Sequence, residues 1–253
     1  MVTAEKVGAI IQARVGSRRF NRKVLRNLPY GSSLSIIENI VHRARAVSGI
    51  DAVIVATSNH PENDEVVSVA RAAGVDVFRG SEDDVLERFH QAAVKHSLAH
   101  IVRLTADNPF VDPVILDTCL GAHKMRKADY TKTIGLPLGM NFEVITFPVL
   151  DRLQRSVNLS DEREHITLHI NNNPSGFAVC VLDYSRPEYE GLRLTIDWEA
   201  DYALACFIFE QLYTPKKNFN LDDVVSLLNK YPWAKLINSN LQTDHLIQSK
   251  RLL

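Results

Sequence analysis

Between Arg14 and Arg26 the chain carries six cations, Arg14, Arg18, Arg19, Arg22, Lys23 and Arg26, and no acid. Inside this run Gly16 permits a positive φ and Ser17 offers a hydroxyl, so consecutive backbone N–H groups can form a concave anion nest. Arginine forks and a lysine point charge would complete a cradle for a polyphosphate. A solvated basic loop would carry the same charges, and counting charges does not separate the two. Neither Gly-x-x-x-x-Gly-Lys-Ser/Thr nor Gly-x-Gly-x-x-Gly occurs, which excludes a P-loop and a dinucleotide fingerprint.

Two acids complement the cradle. Asp107 precedes Asn108-Pro109, a pair that forces a turn, and Asp197 closes the segment Leu192-Arg-Leu-Thr-Ile-Asp197. A hard carboxylate oxygen facing phosphates suits Mg2+, which is held by one or two carboxylates together with substrate phosphates. The alternative for Asp107 is a helix cap or a turn former. His165 and His169, like His96 and His100, are four apart and would share a face of a helix. Neither pair has a third or fourth zinc ligand placed by spacing.

These groups must be carried by elements that bring them to one crevice. The first hundred residues alternate short β-branched runs with stretches of helical period, the pattern of βαβ units in a parallel sheet. Strands are expected at 7–12, 52–56, 75–78 and 100–104, and helices at 33–47, 62–73 and 84–96, with Gly74 stopping the second. A helix at 114–126 follows, then the loop Gly135-Leu-Pro-Leu-Gly139 and a strand at 142–147. Helices at 148–156 and 163–171, strands at 177–182 and 192–196, and helices at 199–213 and 221–230 complete the reading. The cationic run follows the first strand and Asp107 the fourth. Ligands in open parallel sheets bind at such carboxyl ends.

Composition sets the outer limits. The chain has 253 residues, 29 Lys and Arg against 30 Asp and Glu, a net charge of −1 and 45% hydrophobic positions. That length buries a core without staples, and a near-zero charge speaks against a polyanion-coating protein. The anion site must therefore be local. Cys119, Cys180 and Cys206 are too few and too widely spaced for a disulfide framework. The longest apolar run, residues 202–209, is far shorter than a membrane span, and no secretory signal is evident, so a cytoplasmic protein that does not enter membranes is expected.

The residues resemble a known family. Ala9-Ile-Ile-Gln-Ala-Arg-Val-Gly-Ser-Arg-Arg-x-x-x-Lys23 is similar to the N-terminal signature of the CMP-sugar synthetases, most closely the spore coat polysaccharide, SpsF-like branch of the cytidylyltransferases. Four further blocks resemble that branch in order: Arg79-Gly-Ser-Glu-Asp-Asp-Val-Leu-Glu-Arg-Phe89, Val102-Arg-Leu-Thr-Ala-Asp-Asn-Pro109, Glu162-Arg-Glu-His-Ile-Thr167 and Arg193-Leu-Thr-Ile-Asp197. The resemblance implies an α/β, Rossmann-like nucleotide-diphospho-sugar transferase fold: a mostly parallel mixed sheet with helices on both faces and a small inserted lobe. It implies one domain over 1–253, with 130–185 as an acceptor or dimerisation lobe. It implies that Arg14, Gly16, Ser17, Arg19 and Lys23 hold the phosphates of CTP, that Arg79, Ser81, Asp84, Arg103 and Thr105 lie near the nucleoside, and that Asp107 and Asp197 hold Mg2+.

Two departures bear on the acceptor. Arg19-Phe-Asn-Arg-Lys23 replaces the branch's Arg-Leu-Pro-Gly-Lys, which adds a cation, and Gly139-Met-Asn-Phe-Glu143 replaces Gly-Leu-Asp-Val-Glu, which leaves Glu143 as the only acid. Glu143, Arg163 and His165 are the expected acceptor contacts. The expected reaction is attack of an acidic or amino sugar hydroxyl on the α-phosphorus of CTP, with Arg14, Lys23, Asp107 and Asp197 as its catalytic groups. Use of another NTP or a non-sugar acceptor, and a non-catalytic nucleotide- or RNA-binding protein, remain alternatives. Only Phe20 interleaves with the basic run, too few aromatics for a single-strand binder, so no nucleic-acid partner is expected. The apolar residues Ile134, Leu136, Leu138, Met140, Phe142 and Phe147 suggest a buried two-fold contact, and hence a homodimer.

Overall fold

The computed structural model describes residues 5–17, 19–214 and 218–241. Arg18, one of the six cations of the basic run, lies outside them. The strands are β1 (Val7–Gln12), β2 (Ala52–Ser58), β3 (Asp76–Gly80), β4 (His100–Thr105), β5 (Tyr130–Ile134), β6 (Glu143–Thr146) and β7 (Val179–Asp183). The helices are α1 (Ile36–Arg45), α2 (Asp64–Ala72), α3 (Val85–Lys95), α4 (Pro113–Met125), α5 (Phe147–Ser156), α6 (Ser160–Glu164), α7 (Leu168–Asn172), α8 (Glu199–Leu212) and α9 (Leu221–Lys230). The strands form one sheet in the order β3-β2-β1-β4-β6-β5-β7. β6 runs antiparallel to both its neighbours, and every other pairing is parallel.

The two-residue period of β1 builds both layers. Val7, Ala9 and Ile11 face a core shared with α1, α4, α8 and α9, whereas Ile10 faces the other core, with α3 and α5. Local chemistry sets the helix starts. Ser35 and Glu38 form a reciprocal capping box on α1, Asp84 caps α3 through the Glu87 N–H, and Asp112 caps α4 just before Pro113.

Four expectations are corrected. The segment 192–196 is not a ladder strand: it runs extended, joined to the loop before β6 by a single Leu138–Arg193 bridge. Gly139 allows that approach, since its φ is +96° and a Cβ there would lie 2.7 Å from the Thr195 nitrogen. The helix expected at 163–171 is broken at His165 (φ −108°, ψ 80°) into α6 and α7, so His165 and His169 do not share a helical face. His96 ends α3 and His100 opens β4, which dissolves the second pair as well. The region 130–185 includes β5, unanticipated from the sequence, and continues the main sheet through the β4–β6 pairing. Its apolar residues are mostly covered within the chain, with Leu136, Met140 and Phe142 buried and Ile134 exposed.

Candidate active site

A cleft of about 560 Å3 opens at the carboxyl ends of β1 and β4. Arg14, Gly16, Ser17, Arg19 and Lys23 line it from the basic loop, Arg103, Thr105 and Asp107 from β4 and its turn, His165 from the break after α6, and Asp197 from the extended segment before α8. Nine of the ten are among the anticipated phosphate, nucleoside and metal residues, and His165 is an anticipated acceptor contact.

Lys23 sits at the floor of the cleft, in a single 3-10 turn entered through Arg22, whose φ of 56° is left-handed. The residue is 8% exposed, and its ammonium donates to Asp107 Oδ2 at 3.1 Å, Asp197 Oδ1 at 3.0 Å and the Ile196 carbonyl at 2.7 Å. Ninety residues separate the two acids in sequence. They meet because the Ile196 N–H donates to the Asp107 carbonyl at 2.8 Å, which stitches the extended segment to the end of β4. Thr105 Oγ1 donates to Asp107 Oδ1 at 2.7 Å, and Arg19 Nη2 reaches Asp197 Oδ1 at 2.8 Å. Burial pushes the Asp197 carboxyl up, but Lys23, Arg19 and Arg193 outweigh it and hold the group below the usual carboxylate value.

Arg14 is exposed at the rim, between Glu82 of the β3–α3 loop at 3.9 Å and Glu164 of α6 at 3.6 Å. Such solvated pairs contribute roughly 0–1 kcal/mol and yield readily to a stronger anion.

The remaining anticipated residues are directed elsewhere. Arg79 donates to the carbonyls of Ser58 and His60 and pairs with Asp64, which fixes the β2–α2 loop. Ser81 accepts the Asp84 N–H, and Asp84 caps α3 while pairing with Arg163 at 2.6 Å. Arg163 also donates to the Val157 carbonyl and Gln154, so its fork ties α6 to α3 and α5. Glu143 stands behind Arg103, which donates to it at 2.8 Å, and also accepts the Tyr130 hydroxyl.

The sequence reading missed Gln12, which lines the cleft with Glu164, and Arg193 and Asp201 behind it. The four-residue spacing of Arg193, Asp197 and Asp201 was a visible signal, but it is also the spacing of ordinary ion pairs on a helix.

A cytidylyltransferase family profile matches residues 8–219 of this chain. The chain belongs to the cytidylyltransferase family. The spore coat polysaccharide biosynthesis protein SpsF of Bacillus subtilis is 38% identical over 236 residues, covering 89% of this chain and 95% of that protein. An uncharacterized protein of Methanocaldococcus jannaschii is 37% identical over 240 residues, covering 94% and 96%. A cytidylyltransferase structure from Leptospira borgpetersenii superposes with a TM-score of 0.83 at 28% identity, over 90% of this chain and 96% of that one. The architecture is thus a nucleotidyltransferase-type α/β fold, and among the described residues no helix is long and apolar enough to cross a membrane.

The donor set can be tested against the divalent ion that nucleotidyl transfer implies. Among the described residues no three His, Cys, Asp or Glu side chains gather into a complete metal cage. Two carboxylates and a carbonyl instead surround a cation already present, the Lys23 ammonium. These hard oxygens, completed by substrate phosphates, fit Mg2+.

Proposed function

We propose that this protein transfers CMP from CTP to a sugar hydroxyl, releasing pyrophosphate, in the synthesis of a surface polysaccharide or glycoconjugate. One observation carries the reading. Asp107 and Asp197 converge on Lys23 at the floor of a cleft whose mouth is cationic, so a triphosphate entering there meets Arg14 and Arg19 first, and then Lys23 with its paired acids at the floor. SpsF, whose name places it in spore coat polysaccharide biosynthesis, supports the polysaccharide context.

In the reaction the acceptor oxygen bonds to the α-phosphorus, the bond to the bridging oxygen of the β-phosphate breaks, and the hydroxyl proton passes to solvent water. The backbone nest expected at Gly16 and Ser17 is not formed, since the Ser17 N–H donates to the Val15 carbonyl at 2.7 Å. Arg14, Arg19 and the Ser17 hydroxyl bind the β- and γ-phosphates, and so stabilise the departing pyrophosphate. Asp107 and Asp197 would hold Mg2+, with Lys23 turned from the acids toward the phosphates. When bound, that ion supplies charge neutralisation at the reacting phosphoryl oxygens. Arg103, held by Glu143, flanks the α-phosphate, and His165 faces the acceptor. Positioning and charge compensation thus account for the catalytic groups.

The assembly proposed with this activity is a homodimer. Ile134 of β5 and Val181 of the edge strand β7 are 38% and 41% exposed and share a sheet face, since Val181 pairs with Lys132, two residues before Ile134. Light scattering at micromolar concentration should return twice the 28.4 kDa chain mass. A mass equal to the single chain would refute the dimer.

Pyrophosphate release from each of the four NTPs with Mg2+, against a panel of acidic and amino sugars, tests the activity. CTP is expected to exceed UTP by roughly 1–3 kcal/mol in transition-state binding, because a site matched to the cytosine amine leaves a group unpaired with uracil. Equal turnover with UTP removes the cytosine claim. Turnover only with a non-sugar acceptor removes the sugar claim, and nucleotide binding without turnover on any acceptor would leave a binding protein.

A further inference from the structure

Three charged side chains form a chain behind the cleft, and the reading above uses only the first of them, Asp197. Arg193, 3% exposed, donates through Nη2 to Asp197 Oδ2 at 2.8 Å. The same guanidinium grips Asp201 through Nε at 2.8 Å and Nη2 at 3.1 Å. The Asp201 carboxylate, itself fully buried, also accepts the backbone N–H groups of Asp197 at 2.9 Å and Trp198 at 3.0 Å. Asn238 closes the assembly by donating to Asp201 Oδ1 at 2.9 Å and to the Arg193 carbonyl at 3.0 Å.

Stability alone is a poor account of this arrangement. Removing charges from water costs several kcal/mol per ion, and packed apolar side chains of similar volume often serve a fold as well or better. What the chain of charges does accomplish is geometric. Asp201 fixes the backbone of Asp197 and Trp198 at the start of α8, and Arg193, held in a fixed plane by Asp201, takes one oxygen of Asp197. The other oxygen, Oδ1, is left for Lys23 and Arg19 in the cleft. Without Arg193, both oxygens of Asp197 would be free to close on Lys23 and Arg19, the two cations assigned to the phosphates.

We infer that Arg193 is a positioning residue, oriented by Asp201, which holds Asp197 with a single carboxylate oxygen directed at the metal–triphosphate site. The inference rests on the reading of Asp197 as a metal ligand in nucleotidyl transfer. It requires loss of the guanidinium fork, and not merely of its charge, to weaken metal binding. Groups that orient a metal's ligands typically alter its affinity by 10–100-fold when replaced.

The test is titration of the protein with Mn2+ in the presence of CTP, followed by the electron paramagnetic resonance of free Mn2+. Arg193→Lys keeps the charge but cannot bridge both carboxylates, and Asp201→Asn removes the anion that orients the fork. Each should raise the Mn2+ dissociation constant about tenfold or more, a larger change than any loss of CTP affinity measured without metal. Asn238→Ala, which leaves all three charges in place, gives a milder variant should the other two fail to fold, with an expected weakening of a few-fold. Folded variants with parental Mn2+ affinity, whatever their unfolding temperature, would reduce Arg193 to a structural staple and overturn the inference. A parent that takes up no Mn2+ with CTP would instead overturn the metal reading of Asp197, and the inference with it. A parent that binds both but releases no pyrophosphate would remove the reaction, and the comparison of parent and variants would still decide the role of Arg193.

Discussion

β4 has a cavity at each end, and the larger of the two is not the candidate site. At its carboxyl end lies the cleft of about 560 Å3, and at its amino end a cavity of about 720 Å3 whose lining includes Glu5, His100, His123, Lys124 and Phe147. In the first, Lys23, Asp107, Asp197 and Arg193 compensate one another at 2.8–3.1 Å. In the second, a chain of imidazoles runs from Glu5 through His100 Nε2 at 3.0 Å, His100 to His123 at 3.1 Å, and His123 to Thr131 at 2.8 Å. Burial pushes His123 down to about 4, so that imidazole is neutral at pH 7. Volume therefore does not distinguish the two ends. The cleft differs because Lys23 is ion-paired with two acids at its floor, and a polyphosphate with a divalent ion can exchange those partners without leaving a buried charge bare.

The largest expected effect breaks the charged end directly. Asp107→Asn and Asp197→Asn should each lower turnover on the order of 10²-fold or more, since each removes a carboxylate that neutral Asn cannot replace as an Mg2+ ligand, and each ~1.4 kcal/mol lost is about tenfold in rate. CTP binding without metal should be unchanged or tighter. Circular dichroism checks the fold, and pyrophosphate release at varied Mg2+ gives the rate. Parental activity in both folded variants would end the two-carboxylate mechanism.

A smaller effect, of opposite sign for two ligands, sharpens the same point. Lys23→Met removes the cation that occupies the oxygen cage of Asp107, Asp197 and Ile196. CTP affinity measured without metal should fall by roughly 1.5–3 kcal/mol, the worth of a charged hydrogen bond. Mn2+ binding without nucleotide should strengthen, because two acids lose their internal counter-charge. Calorimetric titration with each ligand separates the effects, and a variant weakened for both would show that Lys23 only supports the loop.

Much of this arrangement was legible in the sequence. β1 and α9 occur at the expected residues, the first from a short apolar, β-branched run and the second from its helical period. Arg14, Lys23, Asp107 and Asp197 were legible as charges whose placement needed a reason. What eluded the reading depends on pairing across long separations. The segment 192–196 alternates like a strand, but alternation reports which side chains are covered, not whether a neighbour completes the ladder. β5, with Lys132 at its centre, was passed over where the alternation of strands and helices loosens. Arg79 was placed near the nucleoside by family resemblance and Arg163 near the acceptor by its charge, whereas the carbonyls and carboxylates within reach of each fork decide where an arginine goes, and those come from loops distant in sequence.

The smallest expected effect on turnover, none at all, tests whether the two cavities are separate. His123→Gln replaces a neutral, fully buried imidazole at the far end of β4, so pyrophosphate release at pH 7 should stay within about twofold of the parent. The change should show in acid instead. In the folded chain His123 titrates at about 4, well below the ordinary value near 6.5, so it favours the fold fully above pH 6.5. As pH falls from about 6.5 toward 4, the unfolded chain takes up a proton that the folded chain refuses, and on the order of 3 kcal/mol of stability is lost from this group. The glutamine variant lacks that linkage, so its unfolding temperature should fall less between pH 7 and pH 4.5, by several degrees. Parallel pH profiles of parent and variant would mean that the imidazole chain takes up protons while folded. A tenfold loss of turnover at pH 7 would mean that the neutral end of the sheet is coupled to the charged one after all.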